Sequence, residues 1–202
     1  MANWRPWSRR SLLKGTLALG ALSPVGIWPK LSLAADAPLT PACRDEHQEQ
    51  ATLASVSGPY FKPNSPERGD FMDAKSDGHL ITLEGRVLSR SCQPVAHVLL
   101  DLWHADQDGL YDDHGFRYRG HIYSDTQGHY GFHTIEPAVY PGRTRHFHFK
   151  VQAPGRAMLT TQLFFPGEPR NQVDKLFRSQ LLMNVSDTPK LMSAQFDFVV
   201  DA

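Results

Sequence analysis

The run Arg143-Thr144-Arg145-His146-Phe147-His148-Phe149 sets two imidazoles two residues apart. In a β-strand, residues i and i+2 share a face. His146 and His148 would therefore project together, while Phe147 and Phe149 turn the other way into apolar packing. Tyr140 lies six residues ahead of His146, and Tyr111 closes the run Asp106-Gln107-Asp108-Gly109-Leu110-Tyr111. Two neutral imidazoles and two phenolates make a donor set suited to a hard trivalent metal. A free phenol, with a pKa of about 10, keeps its proton at neutral pH. Only a strongly charged cation would strip it. The bland alternative is a half-buried strand whose polar face meets water, together with tyrosines of the kind common in strands.

Those side chains need a rigid frame. From Leu80 the sequence alternates in short apolar runs, with strands expected at 80–88, 96–104, 130–135, 146–152, 159–165 and 194–200, separated by Gly and Pro clusters. This pattern points to an all-β, antiparallel β-sandwich. Ala153-Pro154-Gly155-Arg156 reads as the turn of a hairpin joining 146–152 to 159–165. That hairpin would carry Gln162 beside the His strand, in a register the sequence leaves open. Asn171 to Phe177 is the best helix candidate and is short. Residues 35–78 are rich in Pro, Ser, Asp and Gly and have little periodicity. They are expected to form an extended N-terminal arm, with 79–202 as the sandwich. Such an arm can also join subunits, so a homo-oligomer stays open.

The first 34 residues have a different character. Ser8-Arg9-Arg10-Ser11-Leu12-Leu13-Lys14 matches the twin-arginine export pattern. The apolar stretch from Gly15 to Trp28 is broken by Pro24 and is shorter than the ~20 residues that span a bilayer. Ser32-Leu33-Ala34 offers small residues for cleavage. The expectation is a signal segment at 1–34, a mature chain without a transmembrane span, and a periplasmic or extracellular location. The full chain balances 21 basic against 21 acidic side chains. Five basic residues and no acidic ones lie in 1–34, so their removal leaves 16 against 21, a net charge of −5. No basic stripe remains, which argues against a nucleic-acid partner. Cys43 and Cys92 are the only cysteines. They could pair in an oxidising compartment, which would stabilise by ~4 kcal/mol in the chain-entropy model, or stay as two buried thiols.

The segment from Leu80 to Phe165 resembles the catalytic domain of the intradiol ring-cleavage dioxygenases, which include catechol, hydroxyquinol and protocatechuate dioxygenases. The resemblance rests on an ordered series: Leu83 to Val87, Asp101 to Tyr111, Ser124 to Gly128, Tyr130 to Pro137, Arg143 to Phe149 and Leu159 to Phe165, with Gly58-Pro59-Tyr60-Phe61 ahead of them. It implies one Fe(III) per chain, held by Tyr111, Tyr140, His146 and His148. It implies further that Tyr140 leaves the iron when substrate docks and accepts a substrate proton, that Arg143 sets a positive charge beside developing negative charge, and that Gln162 hydrogen-bonds near the reacting oxygens. The implied reactants are a small aromatic diol and O₂, and the product is a muconate-type dicarboxylic acid.

Three features depart from the family pattern. The Tyr140–His146 connection is short, Gly142 stands where protocatechuate enzymes carry a Trp, and the large helical N-terminal domain of catechol dioxygenases has no counterpart in this sequence. These departures bear on the substrate and leave the four candidate ligands in place. Two other functions stay in view: a non-catalytic carrier on the same sandwich, and a zinc hydrolase built from His146, His148 and either His104 or Asp106. His104, Asp106 and His114 could alternatively surround Tyr111 as partners or form a wet loop, and the wet loop is the reading preferred here.

Overall fold

Alternating apolar side chains decide which face of each strand meets the opposing sheet. The computed structural model describes residues 50–72, 78–188 and 191–202, all within the unit Pro38–Ala202. The expected leader at 1–34 and Cys43 lie outside the described residues, and with them the Cys43–Cys92 pairing. The strands are β1 (Leu80–Ser89), β2 (Leu99–Trp103), β3 (Arg119–Tyr123), β4 (His129–Ile135), β5 (His146–Gln152), β6 (Leu159–Phe164), β7 (Asn184–Asp187), β8 (Met192–Gln195) and β9 (Phe198–Val200). One sheet runs β4-β1-β8-β7 with β9 also paired to β1, and the other runs β3-β2-β5-β6. The expected all-β sandwich is the fold found. Its second sheet is antiparallel throughout, while in the first β1 runs parallel to β8 and β9.

Leu83, Val87 and Phe132 from one sheet and Leu100, Leu102, Phe147 and Phe149 from the other are fully buried in a single core. Each such side chain contributes ~1.5–3 kcal/mol relative to exposure. The expected strand at 194–200 is broken in two. A Cβ at Gly85 would lie 1.9 Å from the Phe196 carbonyl, so the chain crosses β1 where β1 has no side chain. Asp197 Oδ1 then accepts from the Arg86 amide at 2.8 Å, and β9 starts beyond the break. The expected helix at 171–177 is replaced by 3₁₀ turns at Pro169–Gln172 and Ser179–Leu181. The Asn171 and Asp174 side chains bond instead to Thr144, just ahead of β5.

The segment 50–72 seals sheet edges, which otherwise invite pairing with other chains. Ser55 donates its amide to Thr160 on β6, residues 66–68 exchange backbone bonds with His121 on β3, and Gly69 and Phe71 bond to His133 on β4. Between these anchor points the chain passes over the outer face of the second sheet, where Gly58 sits against His148. Among the described residues, no helix is long and apolar enough to cross a membrane.

Candidate metal centre

β5 sorts its side chains as the two-residue period requires. Phe147 packs on Phe165 with ring centroids 5.3 Å apart, and Phe149 packs on Phe198 at 5.0 Å. His146 and His148 share the opposite face, with centroids 4.6 Å apart. That face is dry, since the two histidines are only 3% and 1% exposed. The Gly58–Phe61 segment and the loops that follow β2 and β4 roof it over.

The loop after β2 delivers Tyr111. Asp106 organises it, because Asp106 Oδ1 accepts the amides of Asp108 and Leu110, both at 2.9 Å. The Asp106 carbonyl also accepts the Ala138 amide at 3.0 Å, tying this loop to the one that carries Tyr140. Gly109 permits the approach. Its φ is +79°, and a Cβ there would sit 2.8 Å from the Val139 carbonyl. Four rings thereby close a circuit: His146 to His148 at 4.6 Å, His148 to Tyr111 at 6.1 Å, Tyr111 to Tyr140 at 5.8 Å and Tyr140 to His146 at 5.6 Å.

The donor chemistry of this circuit fits a hard cation. His146 Nδ1 lies 2.6 Å from the Thr144 carbonyl, so it must donate there, and its Nε2 lone pair faces inward. That Nε2 is 3.0 Å from His148 Nε2. Burial pushes His146 down to about 4 and His148 well below its ordinary value, which keeps both imidazoles neutral. Tyr111 Oη is buried without a hydrogen-bond partner among the described residues, as is His148 Nδ1. Burial, reinforced by Tyr140, also raises the Tyr111 pKa far above that of a free phenol. Without a strong cation the phenol stays protonated and unsatisfied, a costly state for a buried hydroxyl.

Arg143 and Gln162 join the same site. The β5–β6 register sets Gln162 directly opposite His148. Arg143 Nη2 donates to Gln162 Oε1 at 2.5 Å, and Nη1 donates to Tyr140 Oη at 3.3 Å. Gln162 Nε2 in turn donates to the Val56 carbonyl at 2.8 Å. Arg145 points elsewhere and pairs with Glu136 and Glu168.

Several contributors have no part in the expected site. Tyr60 stacks nearly parallel on Tyr111 at 4.3 Å and meets Tyr140 edge-on at 6.3 Å. Trp103 stacks on His148 at 4.9 Å. The buried Arg119 donates to the Tyr60 carbonyl and lies 5.9 Å from the Tyr111 ring. Asp174 holds Arg143 Nε at 2.9 Å. Tyr60 and Trp103 carried a sequence signal, through Gly58-Pro59-Tyr60-Phe61 and the run Asp101 to Tyr111; Arg119 and Asp174 carried none.

The zinc arrangement does not assemble. His104 has both ring nitrogens engaged at 2.7 Å, by the Ala105 carbonyl and Thr134 Oγ1. Its burial, at 1% exposure, also takes it out of the expected wet loop. Asp106 is occupied by its own loop, and His114 is exposed. Among the described residues, no three His, Cys, Asp or Glu side chains gather as a metal site.

A family model described as "Dioxygenase" matches residues 56–202. The hydroxyquinol 1,2-dioxygenase of Nocardioides simplex is 33% identical over 162 residues, which is 68% of this chain and 55% of that protein. The chain belongs to the intradiol ring-cleavage dioxygenase family. The catechol 1,2-dioxygenase of Acinetobacter baylyi is 29% identical over 150 residues, covering 60% of this chain and 48% of that protein. The chain thus spans about half the length of these two relatives. Among solved structures, the dioxygenase domain of a dioxygenase–carbohydrate-binding fusion from the cellulolytic bacterium Streptomyces sp. SirexAA-E is 49% identical, with a TM-score of 0.74. That match covers 76% of this chain and 99% of the other.

Proposed function

We propose that this protein is an exported, Fe(III)-dependent intradiol dioxygenase. It would open the ring of a catechol-type substrate between its two hydroxylated carbons, inserting both atoms of O₂ and giving a muconate-type dicarboxylic acid. The closed circuit of Tyr111, Tyr140, His146 and His148, with Arg143 against Tyr140 Oη, is the observation that carries this function. These four residues would hold one iron per chain. Two phenolates favour the ferric state, whereas a two-His-one-carboxylate set favours Fe(II). Bound iron supplies the electron-withdrawing centre that makes a closed-shell diol reactive toward O₂.

The protein residues divide the remaining work. Tyr111, stacked on Tyr60 and edge-on to His148, stays in place. Tyr140 lies at the edge of the circuit beside the exposed Pro141 and Gly142, so it is the ligand that yields, and its Oη accepts a proton from a substrate hydroxyl. Arg143 sets a permanent positive charge where negative charge develops on the substrate. Gln162, pinned by Val56, holds that guanidinium in place. Consumption of one O₂ per diol, with appearance of a muconate-type ultraviolet band, is the expected result. Catechol binding without oxygen uptake would make the protein a carrier.

Substrate preference follows from the mouth of the site. Gly142 has a φ of +81°, and a Cβ placed there meets nothing within 4 Å. An open mouth suits catechol, substituted catechols or hydroxyquinol. Steady-state kinetics are expected to favour these over protocatechuate, and a strong preference for protocatechuate would contradict the open-mouth argument.

Export is proposed to use the twin-arginine route, on the strength of Arg9-Arg10 and the apolar stretch behind them. That route carries folded protein, so iron could be inserted before Cu²⁺ and Zn²⁺, stronger competitors for N/O sites, are met outside. Changing both arginines to Lys is expected to hold the protein in the cytoplasm. Normal accumulation of that variant outside the cytoplasm would refute the route.

A further inference from the structure

Arg143 reaches the centre from a loop, on a flexible side chain, yet each of its three guanidinium nitrogens has a partner. Nη1 and Nη2 meet Tyr140 Oη and Gln162 Oε1, and Nε meets the carboxylate of Asp174 at 2.9 Å. The Asp174 side chain is itself only 2% exposed. Its Oδ2 also accepts the Thr144 amide and its Oδ1 the Leu176 amide, both at 2.8 Å. Asn171 anchors the same loop. It accepts from Thr144 Oγ1 just ahead of β5 and donates to the Phe165 carbonyl just past β6, both at 2.8 Å. The carboxylate is thus fixed to the frame that carries His146 and Gln162, and among the described residues its charged partner is Arg143. The 3₁₀ turn Pro169–Gln172 ends before it, and Oδ1, the oxygen not bonded to Arg143, caps the short turn through Leu176.

We propose, resting on the function given above, that Asp174 is the positioning residue for Arg143, aiming the guanidinium at Tyr140 Oη. Without this bond the arginine swings toward solvent through the open mouth. Tyr140 then loses its donor, and the substrate loses the charge beside it. The metal ligands themselves are untouched.

The test compares Asp174→Asn, Arg143→Ala and the double variant in the iron-loaded protein. Asp174→Asn keeps the size of the side chain and removes its charge. It is expected to retain iron, to lose about tenfold in kcat, the scale of a lost charge-assisted hydrogen bond, and to leave KM within about twofold. Its tyrosinate–iron visible band is expected to shift in the same direction as that of Arg143→Ala, because both remove the donor to Tyr140. The double variant is expected to be no slower than Arg143→Ala alone, since the two act as one unit. A wild-type kcat and band in Asp174→Asn, or losses that multiply in full in the double variant, would overturn the proposal. If Asp174→Asn does not fold, Asp174→Glu serves in its place. It keeps the charge at a shifted position, and the same lack of further loss on the Arg143→Ala background is expected, with multiplying losses again overturning the proposal. A wild-type protein that takes up no iron and opens no ring is a different failure and would remove the functional proposal along with this one.

Discussion

His148→Ala is expected to lose most of its iron and, with it, all measurable ring cleavage. The side chain is 1% exposed, lies parallel to Trp103 at 4.9 Å and sits opposite Gln162 in the β5–β6 ladder. No neighbouring imidazole can take its place, because His104 is engaged on both nitrogens. Truncation also opens a cavity against Trp103, at a stability cost of ~3 kcal/mol on the scale of large-to-small core changes. Metal analysis of the purified variant, with circular dichroism to establish the fold, is the measurement. A folded, iron-replete and active His148→Ala protein would mean that the centre lies elsewhere.

Tyr140→Phe is expected to behave in the opposite way, keeping iron and losing rate. Phenylalanine preserves the ring contacts to Tyr111 at 5.8 Å and to His146 at 5.6 Å. It removes only the hydroxyl that would accept the substrate proton and that receives Arg143 Nη1. Loss of a positioned proton acceptor lowers turnover by about 10²-fold or more. The iron–tyrosinate band is expected to change with one phenolate gone. Iron content and kcat measured on the same preparation separate the two roles. An unchanged rate would contradict the place given to Tyr140, and a complete loss of iron would make it an anchor like His148.

Which parts of this arrangement could be read in advance follows from the range of the interactions. The His146/His148 face was legible because a period of two is local, and Phe147 and Phe149 marked the buried side. The sandwich was legible for the same reason in β1, β5 and β6. The hairpin turn at 153–156 placed Gln162 near the histidines, but the His148–Gln162 pairing needed the register. Tyr111 and Tyr140 suited the donor set by residue type, but their place beside the histidines rested on the ordered family resemblance, since nothing local ties two loop tyrosines to one site. What stayed hidden is long-range. The break between β8 and β9 depends on Gly85, which is distant in sequence and admits the Phe196 carbonyl. β3 opens on Arg119-Gly120, with no apolar alternation to announce it. The dryness of the histidine face depends on Gly58 and Tyr60 crossing from a segment without periodicity. Asp174 lies in a stretch whose pattern favours a helix, and that pattern yields because Asn171 and Asp174 are drawn to Thr144.

Metal content and the visible spectrum of the wild-type protein, purified after expression of the full chain, test the central claim most directly. Two phenolates on ferric iron give a red-brown charge-transfer band, and the expected result is that band together with close to one iron per chain. A colourless protein, or one carrying zinc in place of iron, would contradict the account.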